Sequence, residues 1–313
     1  MKNNSLLNFI WNTKTFGEYA SKRRRGEALF AIALITPAIL LLGLVIFYPL
    51  VQALLLSFQK ANLITLNQST FIGLDNFKKL IFDPVFWISL KNTIVFVGCS
   101  VIVGLIVGTL LALLLNENIP FRNFFRGLAL IPWVVPGVVV GLLALYMFNS
   151  QVGIINWALN YLGLTNGLMD WFGSQKNSLW AIIISNTWNQ VPFYMLMILA
   201  GLQTVPQDQY EAASIDGASS FEKFFFVTFP NIRGVLLIVT CLMVIWNFNN
   251  FDLVWTTTQG GPLNSTMLLS VYVYRNAFVG LDVGYAAAIG LVWLVLLLLF
   301  STIYIRAMRG DEK

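Results

Sequence analysis

The chain has 313 residues, of which 58% are hydrophobic and 11% charged, against about 45–50% and about 25% in soluble domains. No soluble core absorbs that excess, so lipid must solvate much of the surface. Histidine is absent, which removes the usual general base and the commonest metal ligand, and the net charge of +5 is distributed as membrane orientation rather than as a nucleic-acid footprint.

The N-terminal segment 1–28 is cytoplasmic in this reading. Its stretch from Leu6 to Tyr19 carries Leu6, Leu7, Phe9, Ile10, Trp11, Phe16 and Tyr19, which suits either an interfacial helix or a frayed tail. The first apolar run starts near Leu29, too late and too long for a cleaved signal peptide. A span needs ~20 apolar residues, and six stretches qualify: roughly 29–58, 92–115, 126–148, 178–202, 234–256 and 284–305. The expected fold class is therefore all-α, a polytopic membrane protein with six transmembrane helices, because lipid-exposed backbone must satisfy its own hydrogen bonds. Cys99 and Cys241 each fall inside an apolar run and read as small buried apolar residues.

Lys and Arg fix the orientation. With the N-terminus inside, 13 of the 19 lie on cytoplasmic segments, led by the cluster Lys22 to Arg25 beside the first helix. Lys60, Lys78, Lys79, Lys91, Lys176 and Arg275 lie outside. Both termini come out cytoplasmic.

Between the fourth and fifth spans lies a long cytoplasmic loop, 203–233. Pro206 suits a helix start, Gln207 to Ile215 continue it, and Gly217 can end it. Ser219 with Glu222 is a capping-box pair opening a second helix. That helix carries Phe221, Phe224, Phe225, Phe226 and Phe229 and is expected to stop before Pro230. The loop reads as helix, glycine turn, helix.

Within the spans stand many neutral hydrogen-bonding groups: Asn186, Thr187, Asn189 and Gln190 in the fourth, Asn247, Asn249 and Asn250 in the fifth, and Trp133 between Pro132 and Pro136 in the third. Aromatic faces and amides are the vocabulary of sugar binding. The same amides can instead be interhelical glue at ~0.6 kcal/mol per bond. No charge sits mid-span, which argues against an ion-coupled secondary transporter, and no catalytic constellation, metal site or cofactor site can be named.

One run is specific. Glu211-Ala212-Ala213-Ser214-Ile215-Asp216-Gly217, continuing to Phe229-Pro230, resembles the E-A-A loop of bacterial ABC importer permeases. The resemblance extends through Asn247-Phe248-Asn249-Asn250-Phe251-Asp252, Thr258-Gln259-Gly260-Gly261-Pro262 and Gly284-Tyr285-Ala286-Ala287-Ala288 to the maltose and glycerol-3-phosphate type. It covers about residues 90–308. The implied organisation is a first helix and external loop over 29–90, a permease domain over 91–308 and a cytoplasmic tail over 309–313.

The resemblance implies that Glu211, Ala212, Ala213, Asp216, Gly217 and Pro230 couple the chain to a separate ATPase. It also implies a second homologous permease subunit, a dimer of ATPase subunits, an extracytoplasmic sugar-binding protein and a bacterial inner-membrane location, with no nucleic-acid partner. No Gly-Lys pair occurs, so the phosphate loop of an ATPase is absent. Aligned with the maltose-type sugar site, Trp133, Gly137, Asn189, Gln190, Phe193, Asn247 and Asn250 fall on the substrate pathway. Only the two asparagines keep the family's residue type, and the large external domain of the maltose protein is missing. None of the seven positions is charged, so a neutral sugar or oligosaccharide fits better than glycerol-3-phosphate, whose recognition wants Arg or Lys.

Overall fold

The computed structural model describes residues 22–165 and 167–310, with side chains over 30–165 and 167–306. The amphipathic stretch Leu6 to Tyr19 and residues 311–313 lie outside them. The chain divides into two units, Met1–Leu55 and Leu56–Lys313.

In the first unit, α1 (Lys22–Leu42) passes through a single π turn, Gly43–Phe47, into α2 (Tyr48–Ser57). Phe30–Ser57 is long and apolar enough to cross a membrane. Its described side chains up to Leu55 are exposed almost throughout, a surface that only lipid or another apolar helix can solvate.

The second unit opens with a departure from the all-α expectation. Gln59–Lys60 (β1) pairs antiparallel with Thr70–Phe71 (β2), a two-residue hairpin. It is too short to read from sequence alternation. Asn76, buried in α3 (Asp75–Ile81), ties this corner together by donating to Ser57 O and Gln59 O at 3.0 and 2.9 Å. The residues after β1 run against the start of the last helix, with Leu63 N donating to Leu281 O and Gly284 N to Ala61 O. Gly284 has no room for a Cβ, which would meet Gln59 O at 2.1 Å.

Helix α4 (Pro84–Asn116) starts eight residues earlier than its apolar run suggested, because Asp83 caps it by accepting from Val85 N at 2.8 Å. Both Tyr272 and Tyr285 donate their hydroxyls to Asp83 Oδ2. Lys79 lies 3.9 Å over the Tyr285 ring and 3.3 Å from Asp282. This polar staple joins the starts of α4 and α14 (Val283–Gly310) to α13 (Leu269–Tyr274).

The central pair is α4 against α8 (Ser178–Leu202). Gly104 and Gly108 make it possible: a Cβ on either would come within 2.4 Å of Tyr194. Small residues spaced four apart let helix backbones approach where lipid offers no hydrophobic driving force. Tyr194, Met195, Ile182 and Ile198 of α8 and Phe96 of α4 are fully buried there.

The third apolar run, expected as one span over 126–148, is two helices, α5 (Arg122–Val134) and α6 (Gly137–Met147), bent by 94°. Pro136 forces Val135 into an extended conformation, φ −72 and ψ 124. After α6, the short α7 (Ile154–Tyr161) leads to α8.

The expected stop before Pro230 does not occur. Helix α10 (Ser220–Lys223) runs through a π turn, Phe224–Thr228, straight into α11 (Phe229–Phe248). The π turn changes the bonding register just ahead of the proline, so the missing N–H falls at a position already near a helix start. Two short helices, α12 (Asp252–Thr257) and α13, then precede α14.

Among the described residues four helices are long and apolar enough to span, or five if the bent pair counts as one. Helix α8 has 25 residues, long enough to span, but Asn186, Asn189 and Gln190 make it less apolar than those four.

Candidate functional site

At the break between α5 and α6, Pro132 O accepts from Val135 N at 3.3 Å, and α8 supplies a further donor. Asn189 Nδ2 donates to Pro132 O at 2.6 Å and to Val135 O at 3.3 Å. Across from it, α11 ends at Phe248, and the chain turns through Asn249 and Asn250 into α12. Between these elements lies a cavity of about 150 Å³, walled by Gly137, Asn186, Asn189, Asn249, Asn250 and Asp252, among others. Helix α12 closes tightly on α6, since a Cβ on Gly141 would meet Thr256 Cβ at 2.8 Å and one on Gly137 would meet Asp252 Cβ at 3.2 Å.

The seven aligned pathway residues separate into three sets. Gly137, Asn189 and Asn250 line the cavity. Asn247 does not: it is fully buried in an amide relay, accepting from Asn186 Nδ2 at 2.7 Å and donating to Gln190 Oε1 at 2.9 Å and Met243 O at 2.8 Å. Gln190 belongs to the same relay. Asn250 donates to Asn186 Oδ1 at 2.9 Å, and its own Oδ1 is buried without a partner. Because α11 ends at Phe248, Asn247 and Asn250 do not share a helix face. Trp133 and Phe193 form the third set, an aromatic row with ring centroids 5.5 Å apart that continues from Phe193 to Trp246 at 5.0 Å.

Sequence reasoning met Asp252 only as the end of the Asn247–Asp252 run, and did not select it, Asn186 or Trp246 for the pathway. A signal existed for Asn186, which lies one helical turn before Gln190 on the same face. No spacing marks Asp252, because the chain turns just before it.

On the loop over 203–233, α9 (Gln207–Ile215) ends as its sequence suggests. Gly217 adopts φ +76. Ala218 N donates to Ala213 O and Gly217 N to Ser214 O, the paired bonds of a Schellman termination. Ser219 and Glu222 form the reciprocal capping box, and the Ser219 hydrogen bonds hold the Glu222 carboxyl below its ordinary value. Two contacts lock α9 to the start of α11: Tyr210 Oη with Thr228 Oγ1 at 3.0 Å, and Asn231 Nδ2 donating to Gln209 Oε1 at 2.7 Å. Glu211, Ala212, Ile215, Asp216 and Gly217 are exposed, Ile215 at 86%, while Ala213 is half-buried. Pro230 stands inside the first turn of α11. Phe224 is half-buried, but Phe221 and Phe226 are exposed, so the phenylalanines do not all anchor the loop. A groove of about 1130 Å³ separates it from α4, with Leu105, Tyr210 and Phe224 on its walls.

The sequence model of the family described as "Binding-protein-dependent transport system inner membrane component" matches residues 100–308. The chain belongs to this family. It is an inner-membrane permease of a binding-protein-dependent ABC importer, a transport component and not the catalytic subunit. The permease is 35% identical over 92% of its length to the sulfoquinovosyl glycerol transport system permease protein SmoG of Agrobacterium fabrum, covering 92% of that protein. It is 34% identical over 92% of its length to the trehalose/maltose transport system permease protein MalF of Thermococcus litoralis, covering 97% of that protein. Its fold resembles a chain from the crystal structure of a bacterial ABC transporter involved in import of the acidic polysaccharide alginate. That match has a TM-score of 0.78 at 22% identity, over 93% of this chain and 98% of the other.

Proposed function

We propose that this permease carries a sugar or oligosaccharide, delivered by an external solute-binding protein, through the cavity between α5, α6, α8 and α12 by ATP-driven alternating access. The observation that carries the reading is the wall of that cavity, built of asparagines from α8 and the α11–α12 turn; the Trp133–Phe193–Trp246 row adds aromatic faces on the same helices. Saccharide hydroxyls donate and accept, as amides do, and aromatic faces cover their C–H surfaces. The substrates named for the relatives, trehalose/maltose and sulfoquinovosyl glycerol, support the same class. Among the described residues no Lys or Arg lines the cavity, which disfavours a phosphorylated solute such as glycerol-3-phosphate.

The topology proposed with it has six spans and both termini in the cytoplasm, counting α5–α6 as a broken third span and α8 as the fourth. The charge distribution supports this, and so do Asn186 and Asn189 of α8, whose amides are hydrogen-bonded to Asn247 and to Pro132 O inside the protein. The domain limits remain 1–28, 29–90, 91–308 and 309–313, with the coupling loop over 203–233. In that loop Glu211, Ala212, Ala213, Asp216, Gly217 and Pro230 shape the surface that docks a dimer of ATPase subunits. The exposed Ile215, unselected in the sequence reading, is its apolar tip. A second, different permease subunit completes the membrane part.

The test is uptake of labelled maltose, trehalose or a related oligosaccharide into vesicles holding the assembled transporter and its binding protein, with internal ATP and no ion gradient. ATP-dependent accumulation is expected. Uptake driven by an ion gradient without ATP would make the chain a secondary transporter and overturn the reading.

A further inference from the structure

Backbone carbonyls fix which way the cavity's amides point. Asn247 Nδ2 is committed to Met243 O and Gln190 Oε1, so its Oδ1 must accept, and Asn186 Nδ2 donates to it. Asn186 Oδ1 therefore accepts from Asn250 Nδ2. The relay ends on Asn250 Oδ1, buried and unpartnered. Asn189 spends both of its N–H donors on Pro132 O and Val135 O, and Asn249 Nδ2 donates to Ile245 O. An amide has one oxygen and two N–H donors. Once these donors are committed, the side-chain groups left on the wall are mainly oxygens: those of Asn189 and Asn249 and the carboxylate of Asp252, while Asn250 Oδ1 is itself buried.

Among the described residues Asp252 is the one charged group that lines this wall, and no Lys or Arg accompanies it there. Its place is set by α6. A Cβ at Gly137 would come within 3.2 Å of Asp252 Cβ and 3.6 Å of Asp252 Oδ2, so the glycine keeps open the space that the carboxylate occupies. A lone carboxylate among acceptor oxygens rewards a ligand that donates hydrogen bonds. It penalises one that brings a negative charge.

We propose, resting on the saccharide-pathway reading above, that Asp252 is a charge filter. With the amide oxygens it admits a saccharide that presents hydroxyls or a protonated amine at this point, and it rejects carboxylated, sulfonated or phosphorylated ones. The permease thus selects by charge after the external binding protein has made its own selection.

The experiment uses the assembled transporter in nanodiscs without the binding protein, so that only membrane-domain selection is read. Saturation-transfer difference NMR measures binding of maltose, of the amino disaccharide chitobiose and of a uronic-acid disaccharide. In the wild type the uronate should bind roughly tenfold or more weaker than maltose, and chitobiose binding should weaken as KCl rises from about 50 to about 500 mM. In Asp252→Asn the maltose-to-uronate ratio should fall severalfold, and the salt dependence of chitobiose should disappear. An unchanged ratio in a variant that keeps the wild-type melting temperature would remove the filter and leave the saccharide pathway standing. Equal binding of uronate and maltose by the wild type would do the same. Should Asp252→Asn fail to assemble, the wild-type salt series decides: chitobiose binding insensitive to KCl sinks the filter. If none of the three sugars binds, the pathway reading falls, and the filter with it.

Discussion

Replacing Asn247 by alanine separates the two things an intramembrane amide can do. Asn247 joins α11 to α8 through bonds to Asn186 and Gln190 and bonds back to Met243 O within its own helix. Truncation leaves Asn186 Nδ2 and Gln190 Oε1 without this partner in the interior. Two interhelical bonds at the membrane average of ~0.6 kcal/mol give about 1 kcal/mol. If both orphaned groups stay dry, each adds its desolvation cost of about 1–3 kcal/mol. The loss should therefore fall between about 1 kcal/mol, if both groups find water, and about 7 kcal/mol, if both stay dry. Asn250→Ala breaks one donor bond, to Asn186 Oδ1, and removes an oxygen that had no partner, so about 0.5–1.5 kcal/mol is at stake. The assay is the melting temperature of the assembled complex beside initial rates of sugar uptake. Asn247→Ala should show the larger melting shift. Asn250→Ala should lose roughly threefold to tenfold in uptake at a small melting shift, since it deletes a group on the cavity wall. A larger melting shift for Asn250→Ala, with uptake intact in both, would refute the division into relay and wall.

Four further outcomes are expected. Gly217→Val places a β-branched residue at φ +76, where only glycine is unstrained; ATP hydrolysis should continue while uptake falls, and normal uptake per ATP would refute the coupling role. Glu211→Lys reverses an exposed charge on α9 and should lower the yield of ATPase co-purified with the permease, an effect that an unchanged yield would exclude. A periplasm-active reporter fused at Lys176 should be active and one at Lys223 inactive; the opposite pattern would invert the topology. Burial raises the pKa of Asp83, but hydrogen bonds from Tyr272, Tyr285 and the N–H groups of Val85 and Phe86 outweigh it, so the net value is below the ordinary one. A carboxyl depressed in the folded state stabilises fully above its unfolded value, near ~4, and loses that contribution as pH falls through the folded value. Asp83→Asn should therefore lower the melting temperature at neutral pH, and the gap to wild type should shrink on acidification below about pH 4; a gap independent of pH would refute the staple.

The loop over 203–233 was legible because its signals are local. Pro206, Gly217 and the Ser219–Glu222 pair each act within a turn of backbone, and each stands where local chemistry puts it. The long apolar runs were legible because lipid demands length and composition alone. Pro230 was misread for the opposite reason: whether a proline ends a helix depends on the register of the turn before it, and a π turn there carried the helix on.

What the sequence determined by itself was a set of apolar helices and a punctuated helix–turn–helix hairpin over 203–233, consequences of burial and turn chemistry acting over a few residues. Only the tertiary structure decided the rest. Asn247 and Asn250 look equivalent along the chain, yet one is buried in a relay and the other borders a cavity, because α11 ends between them and α8 lies opposite. Asp252 joins that wall through the close approach of α6 at Gly137. Which amide oxygen remains free depends on carbonyls from α5, α8 and α11 meeting at one place, and no spacing within a single segment encodes that.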